Sequence, residues 1–290
     1  MSCPGVFDPR RRNGPDGPPP GRYMVSILTP VLPANASYLP EAFASLLPER
    51  QTPWRWEIQV DGEATSAVPE SIRKHPQVRV EANGTWLGPA ITRNRALARV
   101  ETEYVVTLDA DDLAEPGGLT ALVSALETNG EAEFAWGEVV DFFPDGHSEL
   151  PEWRSPYPLG LIERGTIENH WMGTGSDGMF FTAMCWRTQT LFELGGWSAL
   201  AGMEDTALVL AASHRFHGYH IPETVRRYRV HPHQATLSPT YAADRSLTRL
   251  WIWRSCNARR QRDGLPPYVL PPDPLAARES ARASLLKKEQ

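Results

Sequence analysis

The stretch of sequence that most constrains the fold is residues 105–112, where an apolar run ends in three carboxylates within four residues. The run fits a strand that rises out of a core, and successive side chains of a strand point to opposite faces. Asp109 and Asp111 are therefore expected to point the same way, with Asp112 in the following turn. Because crowded carboxylates repel one another unless a cation lies between them, the cluster predicts a site for Mg²⁺ or Mn²⁺. A solvated strand end before a helix N-terminus is the alternative.

Apolar runs and helical spacing alternate through the first half of the chain. Strands are predicted at residues 24–28, 56–60, 78–80 and 104–108, and helices at residues 38–48, 88–99 and 119–126. This alternation predicts an α/β fold with a Rossmann-like, mostly parallel sheet flanked by helices. Ligands bind at the carboxyl ends of the strands in such sheets. Polar strand ends at Thr29-Pro30, at Asp61 and at 109–112 are therefore expected to converge on one edge.

The second half of the chain has a less regular pattern. Strands are predicted at residues 134–141 and 180–186, and helices at residues 190–194, from Glu204 onwards and at residues 242–262. Gly195-Gly196 is expected to end the first of these helices. The last one is predicted to be a covering helix that packs through Leu247, Leu250 and Trp251. Residues 144–178 read as a long loop, and loops of that length are usually functional or mobile.

Composition excludes several classes of protein. The chain of 290 residues carries a formal net charge of −6, whereas nucleic-acid-binding domains usually carry a basic face. Its three cysteines form no C-x-x-C pair, which predicts neither a disulfide framework nor a zinc site and fits a reducing cytosol. No apolar run approaches the ~20 residues that cross a bilayer, and no signal peptide is expected. Residues 1–22 are predicted to be a disordered lead-in, and residues 263–290 a tail.

Several polar residues have both structural and functional interpretations. Asn94 falls on the apolar stripe of its predicted helix, where a buried amide needs partners and could tie backbone groups together. Glu204-Asp205 suit a first helical turn because acidic residues there interact favourably with the helix dipole. His231 and His233 form H-x-H, a weak metal signal that surface histidines often produce. No G-x-G-x-x-G or G-x-x-x-x-G-K-[ST] follows the first strand, so neither a dinucleotide-binding fold nor a P-loop has support.

In their order and spacing these motifs resemble the family 2 glycosyltransferases of the GT-A fold over most of residues 23–235. The resemblance rests on segments 25–30 (V-S-I-L-T-P), 60–62 (V-D-G), 88–94 (G-P-A-I-T-R-N), 108–112 (L-D-A-D-D), 195–197 (G-G-W) with Glu204-Asp205, and 228–231 (Y-R-V-H). It implies a GT-A domain at 23–262, with a nucleotide-sugar-binding half at 23–115 and an acceptor-binding half at 116–262.

The resemblance also implies a role for each motif. The donor nucleotide would contact Thr29, Pro30, Asp61, Arg93, Asn94, Asp109 and Ala110. Mn²⁺ or Mg²⁺ would be held by Asp111, with Asp109 or Asp112 assisting and with His231, rather than His233, completing the site. Asp205 would be the general base, while Glu204 would orient the helix start or an acceptor hydroxyl. Trp197 and the aromatic residues of 153–171 (Trp153, Tyr157, His170 and Trp171) either stack on sugars or belong to the core.

The activity implied is metal-dependent, inverting transfer of a hexosyl group from a nucleotide-diphosphate sugar to an acceptor hydroxyl. UDP-sugars are the commonest donors in the family, and the acceptor stays open among carbohydrate, lipid-linked and natural-product hydroxyls. The resemblance and the composition together lead us to expect a cytoplasmic protein without a nucleic-acid partner or a transmembrane segment. Peripheral attachment to the inner membrane face and a homodimer are left open.

Three departures from the family pattern stand beside the resemblance. Residues 60–64 read V-D-G-E-A where V-D-D-G-S is usual, Thr92 replaces an alanine, and residues 31–35 lack the usual Tyr-Asn pair. Two other functions are kept as alternatives. A sugar nucleotidyltransferase would need a Gly-rich, basic loop after the first strand, and residues 29–37 contain no Lys, Arg or Gly. An inactive nucleotide-sugar-binding protein would not need both a base and a metal ligand.

Overall fold

The computed structural model describes residues 23–151, 155–231, 234 and 239–270. The predicted lead-in, Trp153, His233 and the tail beyond residue 270 lie outside the described residues. The strands are β1 Val25–Val31, β2 Trp54–Val60, β3 Val78–Ala82, β4 Tyr104–Thr107, β5 Leu113–Ala114, β6 Ala132–Phe142, β7 Ser148–Glu149, β8 Gly160–Ile162, β9 Met184–Arg187 and β10 His217–Arg229. The α-helices are α1 Leu39–Leu46, α2 Glu70–Arg73, α3 Pro89–Leu97, α4 Gly118–Thr128, α5 Thr166–Thr174, α6 Thr188–Leu194, α7 Glu204–Arg215 and α8 Pro239–Arg262.

The strands form one mixed sheet with the order β3-β2-β1-β4-β9-β6-β10-β5. β3, β2, β1 and β4 are parallel to one another, which confirms the α/β half that the sequence predicts. β9 is antiparallel to both β4 and β6 and so joins this half to a second parallel pair, β6 and β10. The carboxyl ends of β1, β2 and β4 lie at one edge of the sheet, as expected.

β1 is longer than the sequence indicates. The strand continues through Thr29 and Pro30 to Val31, whereas the sequence predicts that these two residues close it. β4 pairs with β1 only as far as Leu28, so Pro30 has a strand neighbour on the β2 side alone. A proline, which has no N–H to donate, is tolerated where one side of the strand is unpaired.

Two parts of the second half differ from the sequence prediction. The 144–178 segment is not one loop, since it contains β7, β8 and α5, and the predicted strand at 180–186 begins with a 3₁₀ turn at Phe181–Ala183. The sequence does not predict β10, because Pro222 interrupts its pattern. The structure accommodates this proline through irregular pairing between His220 and Thr224.

Apolar side chains pack on both faces of the sheet. One face is covered by α1, α2 and α4, and the other by α3, α5, α6, α7 and α8. α8 does cover the second face, but it does so through Thr248, Arg249, Ile252 and Cys256. The packing face predicted for it is wrong at Leu247, which is 70% exposed, and at Trp251, which is 44% exposed, while Leu250 is half-buried. The alternating Arg and Trp residues of this helix hide which stripe is buried.

Candidate active site

Arg93, on α3, lies at the centre of a cluster of charged residues. Its side chain is 6% exposed, and its guanidinium donates to Asp109 Oδ1 at 2.9 Å and to Glu204 Oε1 at 2.8 Å. Asp205 Oδ2 lies 3.6 Å from the same guanidinium. Burial by itself would lower the pKa of Arg93, but the charges of the three carboxylates raise it. One buried cation therefore gathers carboxylates from both halves of the chain.

Of the two acidic residues that begin α7, Asp205 retains more access to solvent. Its side chain is 20% exposed, compared with 7% for Glu204. Trp197 Nε1 donates to Asp205 Oδ1 at 2.6 Å and so orients the carboxylate. Burial raises the pKa of Asp205 to about 7, Arg93 opposes the rise, and the charges of Glu204 and Asp109 add to it. A carboxyl group with this pKa exchanges its proton near neutral pH, as a general base must.

The residue before this acidic pair has a strained backbone. Met203 has a φ of 57°, and it is the only non-glycine residue with a positive φ in the described part of the chain. The left-handed conformation costs a residue with a side chain roughly 1–2 kcal/mol, and such strain clusters at functional sites. Met203 immediately precedes Glu204 and Asp205, the first two residues of α7. The role predicted for Glu204, to orient the helix start or an acceptor hydroxyl, stays a prediction.

Asn94 joins α3 to the segment before α7. Its Nδ2 donates to the Trp197 carbonyl at 2.7 Å, and its Oδ1 accepts from the Trp197 N–H at 2.9 Å. Gly196 lies so close that a Cβ there would overlap Asn94 Oδ1. These contacts support the interpretation in which Asn94 ties backbone groups together. A contact between Asn94 and a donor stays a prediction.

Three of the aromatic residues expected near an acceptor are packed inside the protein, while His170 is half-buried. Trp197 is 2% exposed, Trp171 is 0% exposed and Tyr157 is 7% exposed. Their rings have no free face for a sugar, so the core interpretation describes all three. The burial of Trp197 contradicts the acceptor contact predicted for it, and its indole N–H donates to Asp205 instead.

Asp111 and His231 lie next to each other, as the proposed metal site requires. Asp111 Oδ2 is 2.9 Å from His231 Nε2, and the His231 side chain is 4% exposed beneath the ring of Tyr38. A carboxylate oxygen and an imidazole nitrogen at this spacing fit a divalent cation whose other ligands come from water and phosphate. The described residues gather no group of three such ligands. Asp109 is bound to Arg93 instead, which opposes its predicted part in the metal site.

Asp112 ends the turn that follows β4, as expected, since its N–H donates to the Asp109 carbonyl at 3.2 Å, and its side chain lies under β10. It is 1% exposed, and its Oδ1 accepts from the Arg229 N–H at 3.0 Å. Burial, with the charges of Asp109 and Asp111, raises the pKa of Asp112 well above its usual range. A carboxyl group that favours its neutral form is a poor cation ligand, so this packing opposes an assisting role for Asp112.

Asp61 holds the loop between β3 and α3. It is 4% exposed; its Oδ1 accepts from the Leu87 N–H at 2.7 Å and from Asn83 Nδ2 at 2.9 Å, and its Oδ2 accepts from the Gly88 N–H at 2.9 Å. Asn83 Nδ2 also donates to the Thr92 hydroxyl at 2.8 Å. The threonine that replaces the family's usual alanine at position 92 therefore has a hydrogen-bonding role. The contact predicted between Asp61 and a nucleotide base stays a prediction, and these bonds compete with it.

Three further predicted donor contacts lie at the ends of β1 and β4. Thr29 is fully buried, and its hydroxyl accepts from Trp56 Nε1 at 2.7 Å. Ala110 is 4% exposed and belongs to the core. Pro30 is half-buried at the edge of the sheet. Of these three residues, Pro30 has the side chain that is accessible to a ligand.

Sequence reasoning missed two residues that shape the site. Arg226 is 2% exposed and donates to the carbonyls of Thr182 at 2.7 Å and Thr107 at 2.9 Å. Arg229 donates from Nε to the Asp111 carbonyl at 2.7 Å, which fixes the backbone of the acidic cluster. The R-R-Y-R run at 226–229 was the available signal, but strand alternation would place Arg226 and Arg229, which are three residues apart, on opposite faces.

Structures of S. aureus TarS share this architecture. A TarS fragment in complex with UDP-GlcNAc has a TM-score of 0.60 at 15% identity, over 82% of this chain and 72% of the fragment. A second structure of the fragment has a TM-score of 0.55 at 17% identity, over 71% of this chain and 60% of the fragment. These neighbours are GT-A glycosyltransferases, so the fold is the GT-A fold that the sequence predicts.

Sequence comparison identifies the family. The model of glycosyl transferase family 2 matches residues 26–189, more than half of the chain, and the chain belongs to that family. The O-antigen biosynthesis protein RfbC of Myxococcus xanthus is 22% identical over 180 residues, which is 60% of this chain and 13% of RfbC. The chain thus corresponds to a small part of that relative. Among the described helices, none has the length and apolar character needed to cross a bilayer.

Proposed function

We propose that this chain transfers a sugar from a nucleotide-diphosphate sugar to an acceptor hydroxyl, with a divalent metal and with inversion at the anomeric carbon. The environment of Asp205 carries the proposal. Its carboxylate is oriented by Trp197, lies beside Arg93, keeps partial access to solvent and has a pKa raised to about 7. Orientation, access to solvent and a near-neutral pKa in one carboxyl group are the properties that a general base needs.

Asp205 is the general base of the proposed reaction. The acceptor hydroxyl attacks the anomeric carbon, and its proton passes to the ionised carboxylate as the new bond forms. The hydrogen bond from Trp197 occupies Oδ1, which leaves Oδ2 to accept the proton. A positioned base of this kind contributes about 10²–10⁴-fold to the rate.

Inversion is supported by the pairing of the neighbouring carboxylates. A retaining mechanism through a covalent intermediate needs a second carboxylate as the nucleophile. Glu204 and Asp109 are the candidates closest to Asp205, and both are hydrogen-bonded to Arg93. Pairing with the guanidinium lowers the nucleophilicity of both carboxylates, which favours a single displacement assisted by Asp205.

Asp111 and His231 are the residues that would hold the metal. Mn²⁺ or Mg²⁺, when bound, would neutralise charge on the departing diphosphate as a Lewis acid. The separation of 2.9 Å between Asp111 Oδ2 and His231 Nε2 supports this assignment. Arg229 keeps Asp111 in place through its backbone carbonyl. Arg93 and Asp109 lie on the donor side of the base and are proposed, with Pro30, to border the nucleotide-sugar.

UDP-sugars are the first donors to test, because UDP is common in the family and a TarS fragment of the same fold was solved with UDP-GlcNAc. The acceptor is proposed only as a hydroxyl-bearing molecule, whether carbohydrate, lipid-linked or natural product. A cytoplasmic location is proposed from the cysteine content of the sequence, which fits a reducing compartment.

The test measures nucleoside diphosphate release from a panel of UDP-, GDP- and dTDP-sugars with Mn²⁺, with and without EDTA. We expect release that EDTA abolishes. Asp205→Asn should bind donor normally and lose transfer by about 10²–10⁴-fold, while Asp145→Asn, an exposed control, should behave as the wild type. Pyrophosphate release would instead identify a nucleotidyltransferase, and binding without release would identify a binding protein.

Asp111→Ala tests the metal site separately. The variant should stay folded, as judged by its circular dichroism spectrum and melting temperature, and lose the Mn²⁺-dependent part of the release. Full metal-dependent activity in this variant would overturn the assignment. The anomeric configuration of the product, read by NMR, tests inversion.

A further inference from the structure

One large aromatic side chain stands in solvent beside the proposed donor site. Trp86 is 69% exposed, more than any other tryptophan in the part of the chain that the structure describes. It lies in the loop of residues 83–88, which joins β3 to α3, the helix that carries Arg93. An indole left in water gives up the hydrophobic gain of burial, so its position needs an explanation.

The loop around Trp86 is held firmly on both sides. Before it, the Gly84 N–H donates to the Gly62 carbonyl at 2.9 Å, and a φ of 81° at Gly84 permits the chain to turn. After it, the N–H groups of Leu87 and Gly88 donate to the Asp61 carboxylate at 2.7 and 2.9 Å. These hydrogen bonds therefore fix the backbone on both sides of Trp86, at the carboxyl ends of β2 and β3.

The residues expected to contact the nucleotide base are otherwise engaged. Both oxygens of Asp61 accept hydrogen bonds from the loop and from Asn83. The segment after β1, V-L-P-A-N at 31–35, contains no aromatic side chain. Trp86 precedes Leu87 and Gly88, whose N–H groups Asp61 binds, whereas Tyr38, the first aromatic residue after β1, packs against His231 and Arg229. Nucleic acid bases have flat faces that stack on aromatic side chains whatever the base.

We propose that Trp86 is the platform on which the base of the donor nucleotide stacks, and that Asp61 acts on the base indirectly by fixing this loop. The inference rests on the proposed function, since it assigns a contact within the same donor site. It places base recognition on the β3–α3 loop rather than on the β1–α1 segment.

The test compares two probes, UDP and ribose 5-diphosphate, which has the sugar and phosphates but no base. Their dissociation constants with Mn²⁺ are measured by calorimetry for the wild type, Trp86→Ala and Trp86→Phe. Trp251→Ala is the matched control, since Trp251 is also exposed and lies on α8. Trp86→Ala should weaken UDP binding by roughly 5- to 150-fold, leave ribose 5-diphosphate binding unchanged, and be largely rescued by phenylalanine.

The outcomes separate this inference from the proposed function. If the wild type binds UDP and Trp86→Ala binds it equally well, the stacking role is overturned and the proposed function is not. An equal loss for both probes also overturns the stacking role, because the substitution then acts through the phosphates or the fold. If the wild type binds none of UDP, GDP and dTDP, the proposed function fails, and the inference fails with it.

Discussion

At the scale of single residues, the proposed site depends on the carboxyl group of Asp205, whose pKa of about 7 lies near neutral pH. Burial disfavours the charged form of Asp205 and raises its pKa. Arg93 lowers that pKa, but it offsets only part of the effect of burial because it also pairs with Asp109 and Glu204. Three carboxylates around one guanidinium leave excess negative charge. A proton on Asp205 relieves that excess, which is why its pKa, and not merely its position, suits a base.

The pH dependence of transfer should report this residue. Because the pKa of Asp205 is raised to about 7, the ionised fraction increases as pH rises through neutrality. We expect kcat to rise with pH and to level off above the pKa, in initial rates measured between about pH 5 and pH 9. A rate that is flat across neutrality would contradict the assignment of the base.

The same shift predicts an effect on stability. The folded protein binds the Asp205 proton more tightly than the unfolded chain, so this group lowers the free energy of unfolding as pH rises from about 4 towards 7. Asp205→Asn cannot ionise and should be more stable than the wild type above neutral pH, although inactive. Urea unfolding at alkaline pH, with Asp145→Asn as control, measures the difference, and a less stable Asp205→Asn would argue for a structural role.

At the scale of elements, the segment before α7 is hydrogen-bonded to α3. The turn between α6 and α7 is held to α3 by the paired hydrogen bonds of Asn94 with the Trp197 backbone. Trp197 in turn holds Asp205. Three hydrogen bonds therefore connect α3 to Asp205, the proposed base. Gly196 permits the close approach of the two segments.

Two adjacent glycines give a matched test of this contact. Gly195 has a φ of 79° and open space where an alanine Cβ would lie, so Gly195→Ala should cost only about 1–2 kcal/mol from the left-handed backbone. Gly196→Ala has the same backbone cost, overlaps Asn94 Oδ1 and should lose roughly 1–3 kcal/mol more. Urea unfolding measures both. Transfer should fall further in Gly196→Ala, and equal behaviour of the two variants would contradict the proposed coupling.

At the scale of the whole molecule, buried arginines join the two halves of the sheet. Arg93 reaches from α3 to the start of α7, and Arg226 reaches from β10 to the ends of β4 and of the segment before β9. Burial lowers the pKa of Arg226 to about 10, and the charges of Asp112 and Asp109 work against that decrease. A buried cation, that of Arg226, therefore interacts electrostatically with the acidic cluster.

Removing Arg226 should destabilise the whole fold. Arg226→Met leaves the carbonyls of Thr182 and Thr107 without their donor, and each buried acceptor left unsatisfied costs roughly 1–3 kcal/mol. Arg227→Met is the neighbouring control, since its pair with Glu115 is partly exposed and should contribute about 0–1 kcal/mol. Equal losses from Arg226→Met and Arg227→Met in urea unfolding would contradict this role.

The local patterns of the chain were sufficient for most elements and for the family. Strands β1 to β4 and helices α3, α4, α6 and α7 follow from apolar periodicity and glycine stops, because these elements bury one continuous stripe. β10 could not be predicted, since Pro222 interrupts its pattern and the pairing with β6 that accommodates it lies more than 80 residues away. The buried stripe of α8 was assigned wrongly because an arginine stem, that of Arg249, is buried together with its apolar residues.

The sequence by itself determined the family, the GT-A fold and the candidate residues Asp111, Asp205 and His231, because motif order and periodicity are written along the chain. Only the tertiary structure decided what each carboxylate contacts. Asp109 is paired with Arg93, Asp112 is buried under β10, and Asp205 is held by Trp197. The contact of Asp112 with Arg229 and that of Arg93 with Glu204 join segments more than a hundred residues apart. No local pattern specifies the charge environment that sets a pKa.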